Sequence, residues 1–424
     1  NNSFFLMLFI SCTDNEVDEN KDIKEEVVIS EEVDDSIYHI YIDADWDTEV
    51  GSSESIEMGI NTALLESNYQ LDGKKVKIIR VNHKANPNIH LHNLKNTIMK
   101  DDKTLVVYSG LHSPPLFKNL NFINENNILT LDAWAAGGGI TRSGPPNWIF
   151  RLSVDDKYAG RIMFDYGIEK KEIEKFAICA VDDEWGRWNV ENIINRSKEL
   201  KLETPKIYWL PLNMSLLDAK VILRDIGNED IDGIIMIAHP SEAISVVRAM
   251  VEIEDEYKLP IISHWSVTGS NFTSCITASK DNEKYFDIAK VDLSFIQPAF
   301  IFNKNNSIVN QEIINNVKKL YPEINEYDDI QPPAGFVNAY DLTLILIEAS
   351  KQAKLTGNVE IDKIRIHEAL ENLKNPVTGL IKTYDIPFSK YSKDNYDAHE
   401  ALNVNDFMMA KFNEYGKVVE IEGN

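Results

Sequence analysis

Cysteine is scarce. The 424 residues hold three, Cys12, Cys179 and Cys275, and no pair of them has Cys-x-x-Cys spacing. That excludes a thiolate metal ribbon and a disulfide framework, and leaves open only a single Cys179–Cys275 bridge. Positive charge is also short: 43 Lys and Arg face 68 Asp and Glu, for a net charge of −25. Phosphate backbones and anionic lipid surfaces both need clustered cations, so neither nucleic acid nor a membrane face is an expected partner. Catalytic signatures are missing as well. The chain has no G-x-S-x-G elbow, no P-loop and no H-E-x-x-H, so no enzyme activity, no cofactor and no metal ion is expected.

What is present begins with an apolar run, Phe4-Phe5-Leu6-Met7-Leu8-Phe9-Ile10, followed by Ser11-Cys12. The run is too short to span a bilayer and reads as the apolar core of an export signal. Apolar residues, then Ser11, then Cys12, resemble the lipobox of bacterial lipoproteins. That resemblance implies acylation of Cys12 and a protein exported to the periplasm or cell surface, held to the membrane only by lipid. Residues 13–35 carry eleven acids against Lys21 and Lys24, hence −9 of the net charge, with no aromatic residue. Such a composition cannot bury a core and is expected to form a disordered acidic tether.

From Ser36 onward, apolar strands alternate with amphipathic helices. Strands are expected over 37–42, 76–81, 105–108 and 128–131, with helices between them, the first opening near Ser53. A second set follows, with strands over 176–181, 207–210, 233–238 and 261–263. This rhythm predicts an α/β fold of two lobes, each a doubly wound parallel sheet. Helices over 336–353 and 361–373, a strand over 381–384 and a hairpin of 407–412 with 417–420 are too few for a third core. They are expected to complete the two earlier sheets.

Four stretches, in order, resemble the type I periplasmic binding proteins, in the branched-chain amino acid and amide receptor group of ABC importers. They are Trp148-Ile149-Phe150-Arg151-Leu152-Ser153-Val154-Asp155-Asp156, Val181-Asp182-Asp183-Glu184-Trp185-Gly186-Arg187, Asn338-Ala339-Tyr340-Asp341 and Pro376-Val377-Thr378-Gly379-Leu380-Ile381. The resemblance covers residues 36–422. It implies three hinge crossings, near Ser153, Gln297 and Gly379. The first lobe is then 36–153 with 298–378, and the second 154–297 with 379–424. It also implies a monomer that hands a small solute to ABC permease subunits. A closed form that signals through a receptor kinase or chemoreceptor is the alternative.

Open α/β sheets bind ligands beyond the carboxyl ends of their strands. That rule selects the loops carrying Trp46, Ser109-Gly110 and Ser113, Trp134-Ala135-Ala136-Gly137, Trp185, His239 and His264-Trp265. The resemblance implies that Ser109, Gly110, Ser113, Ala135, Ala136 and Gly137 offer hydroxyl and N–H groups to a carboxylate or amide. It also implies that Trp185 covers the ligand from the second lobe. Amino-acid receptors of the group place an acid on the second lobe for the ligand's ammonium, whereas the matching loop here reads His264-Trp265-Ser266-Val267. A standard α-amino acid is therefore not expected unless Asp132, Glu184 or Glu242 takes that role. The four loop tryptophans suit a flat, apolar or cationic ligand. His83, His90 and His92 read as solvated surface histidines, and Asp155-Asp156 as a helix cap.

Overall fold

The computed structural model describes residues 35–301 and 308–421. Cys12, the expected acylation site, and residues 13–34 of the expected tether lie outside these. Among the described residues, no helix is long and apolar enough to cross a membrane.

The first sheet runs in the order Gln70–Leu71, Lys74–Asn82, Tyr38–Ala44, Thr104–Ser109, Thr130–Asp132, Ile149–Arg151. Its pairs are parallel except the short Gln70–Leu71 hairpin strand. The second runs Val418–Glu420, Phe407–Phe412, Leu293–Pro298, Ile261–Ser263, Gly233–Ile237, Phe176–Val181, Lys206–Leu210. Its first two strands are antiparallel additions to a parallel sheet. Strands such as Gly233–Ile237 (GIIMI) and Phe176–Val181 (FAICAV) are buried along their whole length, because helices cover both faces. Each such Ile contributes about 1.5–3 kcal/mol through burial.

Helix starts carry their own local signals. Asn86 accepts from Asn88 N and Ile89 N ahead of Pro87–Asn93, with proline in the first turn. Ser215 and Asp218 form a reciprocal capping box at Leu216–Gly227. Asp183 caps Glu184–Glu199 by accepting from Gly186 N at 2.8 Å. Pro333–Ala353 lies along Val50–Glu66 and returns the chain to the first lobe.

The strand expected over 128–131 is Thr130–Asp132. The Leu293–Pro298 strand, read only as a crossing from sequence, is a full member of the second sheet. Cys179 and Cys275 are buried and free, so the bridge left open does not form. Cys275 belongs to the helix Ser270–Ile276.

The C-terminal path departs from the expected boundary. Arg151 N donates to His399 O and Ala401 N to Arg151 O, both at 2.9 Å, so 399–401 lies along the edge of the first sheet. The turn at Gly379 is likewise held by the first lobe: Asp341 accepts from Leu380 N at 2.6 Å and Ile381 N at 3.0 Å. We therefore place the third crossing at 403–406, just before the Phe407–Phe412 strand, rather than near Gly379.

Candidate functional site

The loops at the carboxyl ends of the two sheets meet through aromatic rings. Trp134 follows Thr130–Asp132 in the first lobe and is fully buried. Trp265 follows Ile261–Ser263 in the second, and the two indole centroids lie 4.8 Å apart, inclined at 34°. From Trp265 the rings continue to His264 (5.9 Å), Trp185 (5.0 Å) and His239 (5.0 Å, stacked). His239 then faces His112 of the first lobe at 6.0 Å. Ring contacts thus cross between the lobes at two points.

Local structure aims these groups. The Trp134 ring lies on Gly335, where a Cβ would stand 2.5 Å from the ring, so the first turn of Pro333–Ala353 needs glycine there. Trp134 N donates to Asp132 Oδ1 at 3.1 Å. Trp185 sits in the first turn of Glu184–Glu199. The Asp183 that caps this helix also holds His239 Nε2 at 2.7 Å. Burial pushes the Asp183 carboxyl up, but His239 and the capping N–H groups hold it below its usual range. His264 Nε2 meets Asp156 Oδ1 at 2.6 Å, both side chains fully buried.

The 135–137 loop is gripped from below by a buried arginine. Arg151 donates to Ala135 O at 3.1 Å and Gly137 O at 2.7 Å, and its charge is balanced by Asp155 and Glu400. Asp156 N adds a bond to Ala136 O at 3.0 Å.

Several buried polar atoms of this cluster have no protein partner: Trp134 Nε1, Trp265 Nε1, Asp132 Oδ2 and Asp156 Oδ2. Leaving such an atom unpaired costs about 1–3 kcal/mol, so a concentration of them where two lobes meet points to a ligand. Burial pushes the Asp132 carboxyl up to about 7, against the opposing field of Arg151. Burial also raises Asp156, with His264 opposing.

A second cross-lobe contact lies beside the rings. Glu49 Oε2 accepts from Ser270 Oγ at 3.0 Å, and Ser270 N donates to Ser52 Oγ at 2.9 Å. Burial raises the Glu49 carboxyl. The lobes are closed on each other along this line. Two open grooves, of about 610 and 640 Å³, lie away from it, against Phe407–Met409 and Val377-Thr378.

Of the residues expected from sequence, Trp134, Ala135, Ala136, Gly137, Trp185, His239, His264 and Trp265 lie in or directly under the ring cluster. Ser109 and Ser113 are there but committed inward: Ser109 Oγ donates to Asp132 Oδ1 at 2.9 Å, and Ser113 Oγ accepts from Gly137 N at 3.1 Å. Gly110 abuts Ala44, whose Cβ a side chain at 110 would meet at 2.8 Å. Trp46 turns away. Its Nε1 donates to Val81 O at 2.9 Å and Arg80 covers its ring at 4.2 Å, so it is spent on the sheet edge. Asp155 is a cap, as its sequence position suggested, accepting from Lys157 N. Its neighbour Asp156 was missed as the partner of His264, as were His112, Glu49 and Arg151.

The surface reading fails for two of the three nearby histidines. His92 is exposed, but His83 and His90 are buried, His90 on Asp43 at 2.6 Å. His83 continues the row, 6.5 Å from His112 and 5.8 Å from His90, and burial drives its imidazole well below the usual range.

The sequence pattern of a family described as periplasmic binding protein matches residues 51–399. This chain belongs to that family. The two lobes, each built on a mostly parallel sheet, fit the fold of that family. No curated protein matches the sequence. Solved structures share the fold at low identity. A solute-binding protein of an ABC transporter from R. palustris, in complex with benzoate, aligns at TM-score 0.69 with 15% identity, over 90% of this chain and 94% of that one. A branched-chain amino acid transporter substrate-binding protein from Streptococcus pneumoniae, in complex with isoleucine, aligns at 0.67 with 17% identity, over 90% and 97%. A type 1 periplasmic binding protein from Bordetella pertussis Tohama I aligns at 0.71 with 14% identity, over 91% and 100%. At such identities the likeness carries the fold and not the ligand.

Proposed function

We propose that this chain is the substrate-binding lipoprotein of an ABC importer, and that it captures a small carboxylate with an apolar or aromatic body. The observation that carries this reading is the pair of partnerless indole N–H groups, Trp134 from one lobe and Trp265 from the other. A carboxylate oxygen accepting from both would prefer the closed form, because only closure brings the two donors together. A hydrogen bond of this charged kind contributes about 1.5–3 kcal/mol. That differential contact is what drives hinge closure by population shift.

Trp185, stacked on His239, supplies the apolar wall, and the Ala135–Gly137 loop supplies backbone close to the ligand. Ser113 supports that loop through Gly137 N, Ser109 holds Asp132 ahead of it, and Gly110 packs on Ala44. Benzoate and isoleucine, held by two of the structural neighbours, are both carboxylates with an apolar body. An ammonium on the ligand would need Asp156 or Asp132, the buried acids with a free oxygen, since the His264-Trp265 loop itself has no acid.

Native mass spectrometry of the protein as purified tests the reading, followed by calorimetric titration of benzoic acids, branched-chain amino acids and their amides. A one-to-one adduct and binding by a carboxylate support it; binding of the amides alone would remove the carboxylate. The lipid anchor is tested separately. Cys12→Ser should move the protein from the membrane fraction to the soluble fraction, and unchanged fractionation would remove the anchor.

A further inference from the structure

We propose a divalent metal site, suited to Zn²⁺, built by His367, Glu371 and His399 on the first lobe, outside the ligand cleft. Their ligand atoms lie within 4.8 Å of one another. His367 and Glu371 stand four residues apart at the end of the helix Val359–Leu370, on one face. His399 comes from the segment paired along the Ile149–Arg151 strand.

The hydrogen bonds fix which ring nitrogens are available. His367 Nε2 lies 2.8 Å from Asn147 O, and His399 Nδ1 lies 2.9 Å from Ile149 O. A carbonyl oxygen only accepts, so each of these nitrogens carries a proton. The other nitrogen of each neutral ring then presents a lone pair, and both lone pairs face the same carboxylate. His399 Nε2 is 2.9 Å from Glu371 Oε1, and His367 Nδ1 is 3.9 Å from Glu371 Oε2. A shared proton can relieve the first contact, but the second is too long for a hydrogen bond. A cation at the centre relieves both. Zn²⁺ bound at 2.0–2.1 Å in tetrahedral geometry separates its ligands by about 3.3 Å, between the two distances found here.

The surroundings are those of a prepared metal site. Each ligating histidine donates its second N–H to a backbone carbonyl, which orients the ring. Tyr391 N donates to Glu371 Oε1 at 3.2 Å, which orients the carboxylate. Phe150 stacks on His399 at 3.8 Å and Trp148 lies 4.3 Å from His367, shielding the site on the sheet side. His399 is fully enclosed, while His367 and Glu371 keep 16% and 15% exposure, a path for the ion and for a water as fourth ligand. Two imidazoles and one carboxylate suit Zn²⁺ better than Ca²⁺ or Mg²⁺. The bound ion would pin the segment leading to the third crossing onto the first lobe, a role independent of the solute.

The test is equilibrium dialysis of chelator-stripped full-length protein against Zn²⁺, with metal counted by mass spectrometry, and Co²⁺ as a spectroscopic probe. Wild type is expected to hold one Zn²⁺ per chain, and Co²⁺ to give the visible bands of a tetrahedral nitrogen-oxygen site. His367→Gln and Glu371→Gln, both at half-buried positions that tolerate the change, should each weaken Zn²⁺ binding by tenfold or more. His83→Gln should leave it unchanged. No uptake by the wild type, or uptake that survives both His367→Gln and Glu371→Gln, would overturn the site.

Discussion

The indole rings of Trp134 in the first lobe and Trp265 in the second pack at a tilt with centroids 4.8 Å apart, and neither indole N–H has a protein partner. The contact joins loops 131 residues apart in the chain, counted from their numbers. It joins strand-end loops of the two lobes and is the contact on which the proposed cleft rests.

Trp185 reaches the ligand region from the first turn of its helix, stacked on His239. Trp185→Ala is expected to weaken solute binding by about tenfold or more, the loss of one aromatic wall. The far-ultraviolet circular dichroism spectrum should stay unchanged, since the helix keeps its Asp183 cap. Unchanged calorimetric affinity would take Trp185 out of the site.

Ser270 links the lobes without belonging to the ring cluster. Ser270→Ala removes the hydroxyl that donates to Glu49 Oε2 but keeps the backbone bond to Ser52. About 1 kcal/mol of closed-state stabilisation is lost. Affinity should fall several-fold, mainly through faster ligand dissociation in stopped-flow measurements.

Asp132 ties stability to pH. Burial raises its carboxyl to about 7 in the folded chain, while in the unfolded chain it titrates at the ordinary aspartate value of 3.8. The folded state therefore holds a proton that the unfolded state has released. This group's stabilisation is full below the unfolded value and is lost as pH rises through 7. Between pH 6 and 8 the loss is about 1 kcal/mol. Asp132→Asn keeps an acceptor for Ser109 and Trp134 N but cannot titrate. Urea unfolding at the two pH values should show a smaller drop for the variant than for wild type.

Gly379 is held for steric reasons. A Cβ there would stand 2.4 Å from the Asp341 carboxyl carbon, and that carboxylate's oxygens already accept from Leu380 N, Ile381 N and Tyr384 Oη. Gly379→Ala should destabilise the fold by about 1–3 kcal/mol in denaturant unfolding.

The alternation of buried strands and helices was legible because parallel strands covered on both faces read as continuous apolar runs, Ile234 to Ile237 being the clearest. The strand-end rule picks out loops that meet between the lobes, those of Trp134 and Trp265 among them. It could not find where the side chains on them point. Trp46 lies in a loop of the right kind, yet Arg80 and Val81 claim its ring. The Asp156–His264 pair spans 108 residues and the Arg151–Glu400 pair 249, so neither leaves a local pattern. The same holds for the 399–401 pairing that moves the third crossing past Gly379. His90 was misread because the seven-residue helix Pro87–Asn93 is too short to show which side faces inward, and His83 lies just past the strand Lys74–Asn82, where no period reports burial.

Small-angle X-ray scattering on ligand-free and ligand-saturated protein tests the central claim, capture by hinge closure, most directly. Ligand is to be removed by unfolding and refolding, then restored from the calorimetric screen. Closure predicts a smaller radius of gyration with ligand, and a weaker change in Trp265→Ala at equal ligand. Identical scattering curves for the two wild-type states, at a ligand concentration where calorimetry shows saturation, would contradict it.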